Sequence, residues 1–207
     1  MILGVIPARG GSKGVPRKNL RRIEGLPLIE WSIRAAAESA LLDRSVVSTE
    51  DPEIARVARE AGSEVLERPA ALATDDASTL SVLEHLVETI PAEVVVVLQP
   101  TSPIRDSGLI DSCIRRFLES AADSLATGYI CKCVEYGRNV LRRQDIDGFF
   151  TDDGNVYVIR AERIRQGDRY GERIERVLLD REQNVEIDDE YDFWVAGQIL
   201  RKRQGKA

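Results

Sequence analysis

The sequence predicts an α/β fold with a mostly parallel central sheet, and three observations carry that expectation. Short apolar runs alternate with amphipathic stretches through the first 130 residues, the pattern of strands joined by crossover helices. Residues 94–98, Val-Val-Val-Val-Leu, contain no polar member, as in a strand covered on both faces. Clusters of Gly, Pro and charged residues follow directly after the apolar runs. In parallel sheets that is the end where ligands bind.

The elements follow in order. Residues 2–8 form a short apolar run broken only by Gly4 and Pro7, read as a buried strand. Residues 9–19 are rich in Gly, Pro and Lys and read as a loop. Residues 27–42 carry Ile29, Ile33, Ala36, Ala37 and Ala40 on one helical stripe. Residues 45–48 form a second strand. Pro52 opens a helix that Gly62 closes, the expected asymmetry of helix ends. Residues 64–66 form a third strand. Residues 78–88 are helical with Ser78 as N-cap. The strand 94–98, a helix over 107–119 and a strand over 124–130 complete the alternation.

Beyond Ile130 the pattern changes. Residues 131–150 are polar and irregular. Residues 154–160, 177–179 and 185–187 read as further strands. Residues 189–202 form a closing amphipathic helix with Phe193, Ala196 and Leu200 inward, followed by a solvated basic tail. The 207 residues are expected to form one domain, 1–207. With 43% hydrophobic and 31% charged residues, composition excludes a disordered or fibrous chain.

Several function classes are disfavoured. The longest purely apolar run has five residues, far short of the roughly 20 that a membrane span needs. Arg9 and Lys13 follow the apolar start at once, so no secretory signal pattern is expected there. Three cysteines, Cys113, Cys131 and Cys133, make no disulfide framework, and a reducing cytoplasm is the expected compartment. Cys131-x-Cys133 falls short of four zinc ligands. His85 is the one histidine and lies in a helical pattern, so catalysis by a Ser-His or Cys-His pair is discounted.

The net charge of −6 disfavours nucleic-acid binding. Charge is unevenly spread: residues 1–23 hold six basic residues and no acid, so the remainder carries −12. A small basic island in an acidic chain points to a local anionic ligand.

That island contains Ile6-Pro-Ala-Arg-Gly-Gly-Ser-Lys-Gly-Val-Pro-Arg-Lys-Asn19. Gly10, Gly11 and Gly14 let backbone amides approach a ligand closely, and consecutive amides form an anion-binding concavity. Arg9, Lys13 and Lys18 add positive charge, a combination suited to a triphosphate. The plain reading is a solvated surface loop, and the position directly after the first strand argues against it. Neither the Walker A spacing nor the dinucleotide fingerprint is present.

Arg9-x-x-Ser12-Lys13-Gly14-x-Pro16-x-Lys18-Asn19 resembles the signature of the CMP-sialic acid synthetases, or acylneuraminate cytidylyltransferases. Four further segments agree in order: Val47-Ser-Thr-Glu-Asp51; Glu67-Arg-Pro-Ala-x-Leu-Ala-x-Asp75 with Ala77-Ser-Thr79; Leu98-Gln-Pro-Thr-Ser-Pro-x-Arg105; and Val185-Glu-Ile-Asp-Asp-Glu-x-Asp192. The resemblance implies a Rossmann-like three-layer α/β/α fold, nucleotidyltransferase and glycosyltransferase-A-like, with a short inserted arm at 131–150. It implies transfer of CMP from CTP to the anomeric hydroxyl of a sialic-acid-like keto acid sugar, with Mg2+ and release of pyrophosphate. It also implies a homodimer.

What the resemblance assigns to residues is specific. Arg9, Gly10, Gly11, Ser12, Lys13 and Lys18 would hold the triphosphate, with Arg9, Lys13 and Asp188 at the reacting centre. Asn19, Arg68 and Thr79 would read the base and ribose. Gln99, Thr101, Ser102, Arg143, Gln144 and Tyr157 would contact the acceptor, although residues 100–103 also read as a rigid Pro-bounded turn. Asp188 and Glu186 would hold the metal. In a strand they share a face, while Asp189 and Glu190 suit the positive end of the closing helix.

The chain departs from the family pattern at three places. Glu186 stands where the family more often has Asp. Residues 131–150 are shorter than usual. Thr151-Asp-Asp-Gly154 replaces Arg-Pro-Asn-Gly, removing a guanidinium from the acceptor half. Two other readings remain: a related transferase for an eight-carbon keto acid sugar, and a nucleotide-binding module without turnover.

Overall fold

The structure, a computed structural model, describes residues 1–137 and 141–205. Its centre is a seven-stranded sheet in the spatial order β5 (Glu64–Glu67), β4 (Arg44–Thr49), β1 (Ile2–Pro7), β6 (Val94–Val97), β8 (Phe149–Arg160), β7 (Ser124–Cys131) and β9 (Ile174–Leu178). β1 (Ile2–Pro7) lies between β4 (Arg44–Thr49) and β6 (Val94–Val97), parallel to both. β5 (Glu64–Glu67) adds in parallel beyond β4. The chain therefore builds outward from β1 in one direction and returns to its other side. The crevice outside the strand ends at such a reversal is the usual ligand site of an open α/β sheet.

Periodicity explains the layers. Val94 and Val96 belong to one core, with Ile6, Val47, Ile29, Ile54 and Phe117. Val95 and Val97 belong to the opposite core, with Leu3, Val5, Leu83 and Leu86. All four valines of β6 are buried, so burial on both faces accounts for the unbroken apolar run. Helices α1 (Leu28–Glu38), α2 (Pro52–Glu60) and α4 (Leu109–Ser120) supply the first core. Helix α3 (Thr79–Thr89) supplies the second. A third core lies under α6 (Glu190–Arg203), where Phe193, Ala196 and Leu200 meet Val15, Ile104 and Ile187.

Helix ends follow local chemistry. The Asp51 side chain accepts from the Glu53 and Ile54 amides ahead of Pro52, and Ser78 accepts from the Ser81 amide. Asp189 and Asp192 form a capping box on α6, each satisfying amides that the helix leaves unpaired. Helix α1 stops at Glu38, short of the expected residue 42. Ser39 is extended, and Asp111 accepts hydrogen bonds from Ser39 Oγ and the Ala40 and Leu41 amides.

The far side of the sheet departs from expectation. β8 (Phe149–Arg160) begins five residues before the expected 154 and runs antiparallel to both β6 and β7 (Ser124–Cys131). β9 (Ile174–Leu178) adds in parallel to β7. Residues 185–187 are not a strand: they form an extended segment whose Ile187 amide donates to the Thr101 carbonyl at 2.8 Å. One backbone bond anchors that segment where a strand would need a ladder. A hairpin of β2 (Arg22–Ile23) and β3 (Leu26–Pro27) and the short helix α5 (Ala161–Arg165) have no counterpart in the sequence pattern.

Candidate active site

The loop after β1 is strapped down by residues from the segments after β4 and before α6. The Gly10 amide donates to Glu50 Oε1 at 2.7 Å, and Glu50 Oε2 accepts from the buried Arg68 at 3.0 Å. Asp51, while capping α2, also accepts from Arg17 at 2.5 Å. That carboxylate is held below its ordinary range: the Arg17 and amide hydrogen bonds outweigh an opposing burial effect, which is the largest single influence. Asn19 Nδ2 donates to the Arg9 carbonyl at 3.0 Å, and Lys18 Nζ donates to the Ile187 carbonyl.

Two glycines make this docking possible. A Cβ on Gly10 would lie 2.4 Å from Asp51 Oδ2, and one on Gly14 would lie 2.0 Å from the Asp188 carbonyl oxygen. Both positions are required for close approach of the loop to its neighbours.

The loop forms one wall of a cleft of about 410 Å³ at the carboxyl ends of β1 and β6. Arg9, Ser12, Lys13, Lys18 and Asn19 line that wall. Arg68, Thr79, Gln99 and Thr101 line other parts, and Glu186 and Asp188 complete it. Cationic loop and paired carboxylates thus face one space. Arg9 and Lys13 both contact Asp75, at 2.9 and 2.6 Å. The Lys13 hydrogen bond is the main cause holding the Asp75 carboxyl below its ordinary range.

The carboxylate pair is electrostatically strained. Burial pushes the Glu186 carboxyl above its ordinary range, and the Asp188 charge adds to the shift. Burial lowers the Lys18 ammonium, opposed by the charges of Asp188 and Glu186. The α6 capping box fixes the Asp188 backbone, whose amide donates to Asp192 Oδ2 at 3.0 Å. Asp189 and Asp192 therefore serve the helix end, and Glu186 and Asp188 face the cleft. Among the described residues no group of three or more His, Cys, Asp or Glu side chains is arranged to hold a metal ion.

Some sequence-expected site residues are not brought to the cleft. Gly10 and Gly11 are not among its lining residues. Ser102 is buried, and its hydroxyl donates to the Asp153 carbonyl at 2.7 Å, so its role is to fasten the turn after β6. Gln144 is exposed, with its carbonyl accepting from Lys132 Nζ at 3.3 Å. The Arg143 side chain lies outside the described residues. Tyr157 lines a neighbouring cavity, which shares Thr79 with the cleft.

The motifs contain Glu50, Asp51, Asp75 and Arg105, but the sequence assigns none of these four residues a role in the site. The acidic pair directly after a strand and ahead of Pro52 is the available signal for the first two. Arg105 is half-buried and donates to the carbonyls of Asn155 at 3.0 Å and Gln99 at 2.8 Å and to Ser32 Oγ at 2.9 Å. Burial lowers its guanidinium to about 9, with Asp153 opposing. It fastens the Gln99 turn from beneath.

A sequence profile of the family described as cytidylyltransferase matches residues 3–167. The chain belongs to the cytidylyltransferase family. Among relatives of this cytidylyltransferase family member, N-acylneuraminate cytidylyltransferase A of Danio rerio is 32% identical over 97% of this chain and 51% of its own length. The chain thus spans about half the length of that relative. CMP-N,N'-diacetyllegionaminic acid synthase of Legionella pneumophila is 29% identical over 98% of this chain and 97% of its own. A solved structure of CMP:2-keto-3-deoxy-manno-octonic acid synthetase complexed with CTP superposes with a TM-score of 0.78. It is 15% identical and covers 98% of this chain and 99% of that one. At that identity the likeness concerns the fold, a three-layer α/β architecture around a mostly parallel sheet.

Proposed function

We propose that the protein transfers CMP from CTP to the anomeric hydroxyl of a nine-carbon, sialic-acid-like 2-keto acid sugar. The carrying observation is the single cleft that sets Arg9, Lys13 and Lys18 against Glu186 and Asp188. The acceptor hydroxyl oxygen forms a bond to the α-phosphorus, and the bond from that phosphorus to the α,β-bridging oxygen breaks. Pyrophosphate leaves with the bonding electrons, and the hydroxyl proton passes to solvent.

Such a transfer rests on positioning and charge neutralisation. Arg9 and Lys13 exchange their shared Asp75 contact for phosphate oxygens, and Lys18 adds charge from the depth of the loop. Asn19, Arg68 and Thr79 contact the nucleoside, a reading supported by their lining the cleft, with Arg68 hydrogen-bonded to Glu50. Gln99 and Thr101 stand at the acceptor end.

The donor set fits Mg2+. Two carboxylates at one wall, one of them disfavoured as an anion by burial and by its neighbour, are relieved by a divalent cation. Mg2+ commonly takes one or two carboxylates and leaves its other positions to water and substrate phosphates. Asp188 and Glu186 would hold it, and bound there it would supply neutralisation of phosphate charge.

Two relatives named for acylneuraminate and diacetyllegionaminic acid support the acceptor class. The exposed Val134, Tyr136, Leu141 and Phe149 of the arm, with Ile130 just before it, support a homodimer, since exposed apolar side chains favour burial between chains. A cytoplasmic location accords with the chemistry of CTP. Among the described residues no helix is long and apolar enough to cross a membrane.

The test is pyrophosphate release from CTP and Mg2+ with a panel of nine-carbon and eight-carbon keto acid sugars. Release with a nine-carbon acid, and none with ATP or GTP, is the expected result. Lys13→Ala should cut the rate roughly 100-fold or more while leaving the melting temperature within a few degrees. CTP binding without release from any sugar would favour a binding module. Full activity in Lys13→Ala would overturn the phosphate-loop assignment.

A further inference from the structure

Arg9 and Lys13 share one anion, and it comes from a distant part of the chain. Asp75 lies between β5 and α3, 66 residues from Arg9. Its Oδ1 pairs with the Arg9 guanidinium at 2.9 Å and its Oδ2 with the Lys13 ammonium at 2.6 Å. Arg9 also donates to the Thr74 carbonyl at 3.2 Å. The Ala77 amide donates to the same carbonyl at 3.3 Å, closing a turn that carries Asp75. Arg9, Lys13, Thr74, Asp75 and Ala77 all line the nucleotide cleft.

The shared contact is weak enough to be exchanged. The Lys13 side chain is 80% exposed, that of Asp75 46% and that of Arg9 37%, and ion pairs so open to water contribute little. Among the described residues neither cation has another ion pair. By contrast Arg17 is spent on Asp51 and Glu53, and Lys18 on the Ile187 carbonyl. The one carboxylate sets an oxygen against each cation, as two phosphate oxygens would. A polyphosphate brings several negative charges to the same place and displaces it. Displaced, the carboxylate stays close: its segment is anchored at Arg68 by Glu50 and at Ser78 by the start of α3. A tethered group competes at high effective concentration.

We propose that Asp75 is a positioning residue that holds Arg9 and Lys13 between turnovers and competes pyrophosphate off them after transfer. The proposal rests on the transferase reading and adds the group that limits how tightly the leaving anion is kept. It places Arg9 and Lys13 on the phosphates that leave, so CMP lies outside the competition.

The experiment is calorimetric titration of the Mg2+-supplemented protein with inorganic pyrophosphate, CTP and CMP. Asp75→Asn should tighten pyrophosphate and CTP by roughly 3- to 10-fold, the scale of one or two exposed ion pairs. CMP affinity should stay within about twofold. Asp75→Glu, which keeps the charge, should stay within about twofold of wild type for all three. Asp76→Asn removes the same charge one residue along, from a side chain that does not line the cleft, and should also stay within about twofold. Weaker pyrophosphate binding in Asp75→Asn would overturn the proposal, because Asp75 would then support the bound anion or its Mg2+. Unchanged pyrophosphate affinity would overturn it too, as would equal tightening of CMP or equal tightening in Asp76→Asn. So would a wild-type protein that binds no pyrophosphate. Pyrophosphate that binds and tightens in Asp75→Asn while CTP fails to bind would uphold the proposal and sink the cytidylyl reading alone.

Discussion

A methyl group at position 14 would meet the Asp188 carbonyl oxygen at 2.0 Å. That oxygen belongs to backbone held by the α6 capping box, so the loop must give way. Gly14→Ala should therefore lift the phosphate loop off the carboxylate segment and weaken CTP by about 10-fold or more, at a cost near 1–3 kcal/mol. Gly11 has open space around its missing Cβ, and Gly11→Ala should leave the melting temperature unchanged. Paired CTP titrations and melting curves check both, and a Gly14→Ala protein with wild-type CTP affinity would remove the argument. Along the sequence, Gly14 is one of three glycines that admit a ligand. Its contact with the Asp188 carbonyl, far along the chain, is what makes it necessary. Likewise Arg9, Lys13, Lys18, Asn19, Arg68 and Thr79 are legible from their motifs and do line the cleft. Ser102 and Gln144 belong to the same kind of pattern, but Ser102 is buried in the turn after β6 and Gln144 is exposed outside the cleft.

At the scale of elements, the segment between α5 and β9 presents Arg169 and Tyr170 and is tied to the start of β7 by Asp123. Asp123 Oδ2 accepts from the Glu172 and Arg173 amides at 3.0 Å each, and Oδ1 accepts from Arg163 at 3.2 Å. The Arg173 and Glu172 amides and Arg163 hold this carboxyl below its ordinary range. A depressed folded value means that folding favours the ionised form. Its contribution is complete above the unfolded value of about 3.9 and is lost as pH falls through the lower folded value. Protection of the Glu172 and Arg173 amides against exchange, relative to the intrinsic rate at each pH, should therefore fall on acidification below about pH 4, before that of the β6 amides. Asp123→Asn should show the reduced protection already at neutral pH. Exchange that is insensitive in both would mean that the loop is held by its other contacts. Nothing near Asp123 in sequence marks this role, because the amides it serves come from a loop about 50 residues on.

Across the whole molecule, one core joins strands β1, β4, β6 and β8 to helices α1, α2 and α4, with Phe117 fully buried within it. Phe117→Ala should cost about 3–5 kcal/mol, measured by urea unfolding, with a thermal shift of roughly 2–4 °C per kcal/mol. A loss under about 1 kcal/mol would mean that the core closes over the gap. The alternation of β1 through α4, the helix starts at Pro52, Ser78 and Asp189, and the cationic glycine loop are all legible from local pattern. Propensity, capping and side-chain periodicity act between residues close along the chain, so a single sequence carries them. The antiparallel entry of β8 between β6 and β7, and the failure of residues 185–187 to pair as a strand, depend on which distant edges meet. So do the pairing of Asp75 with Arg9 and Lys13 and the seating of Gly14 on Asp188. Those outcomes follow from closing long loops and filling shared space, where the free energy lies in contacts between segments far apart along the chain.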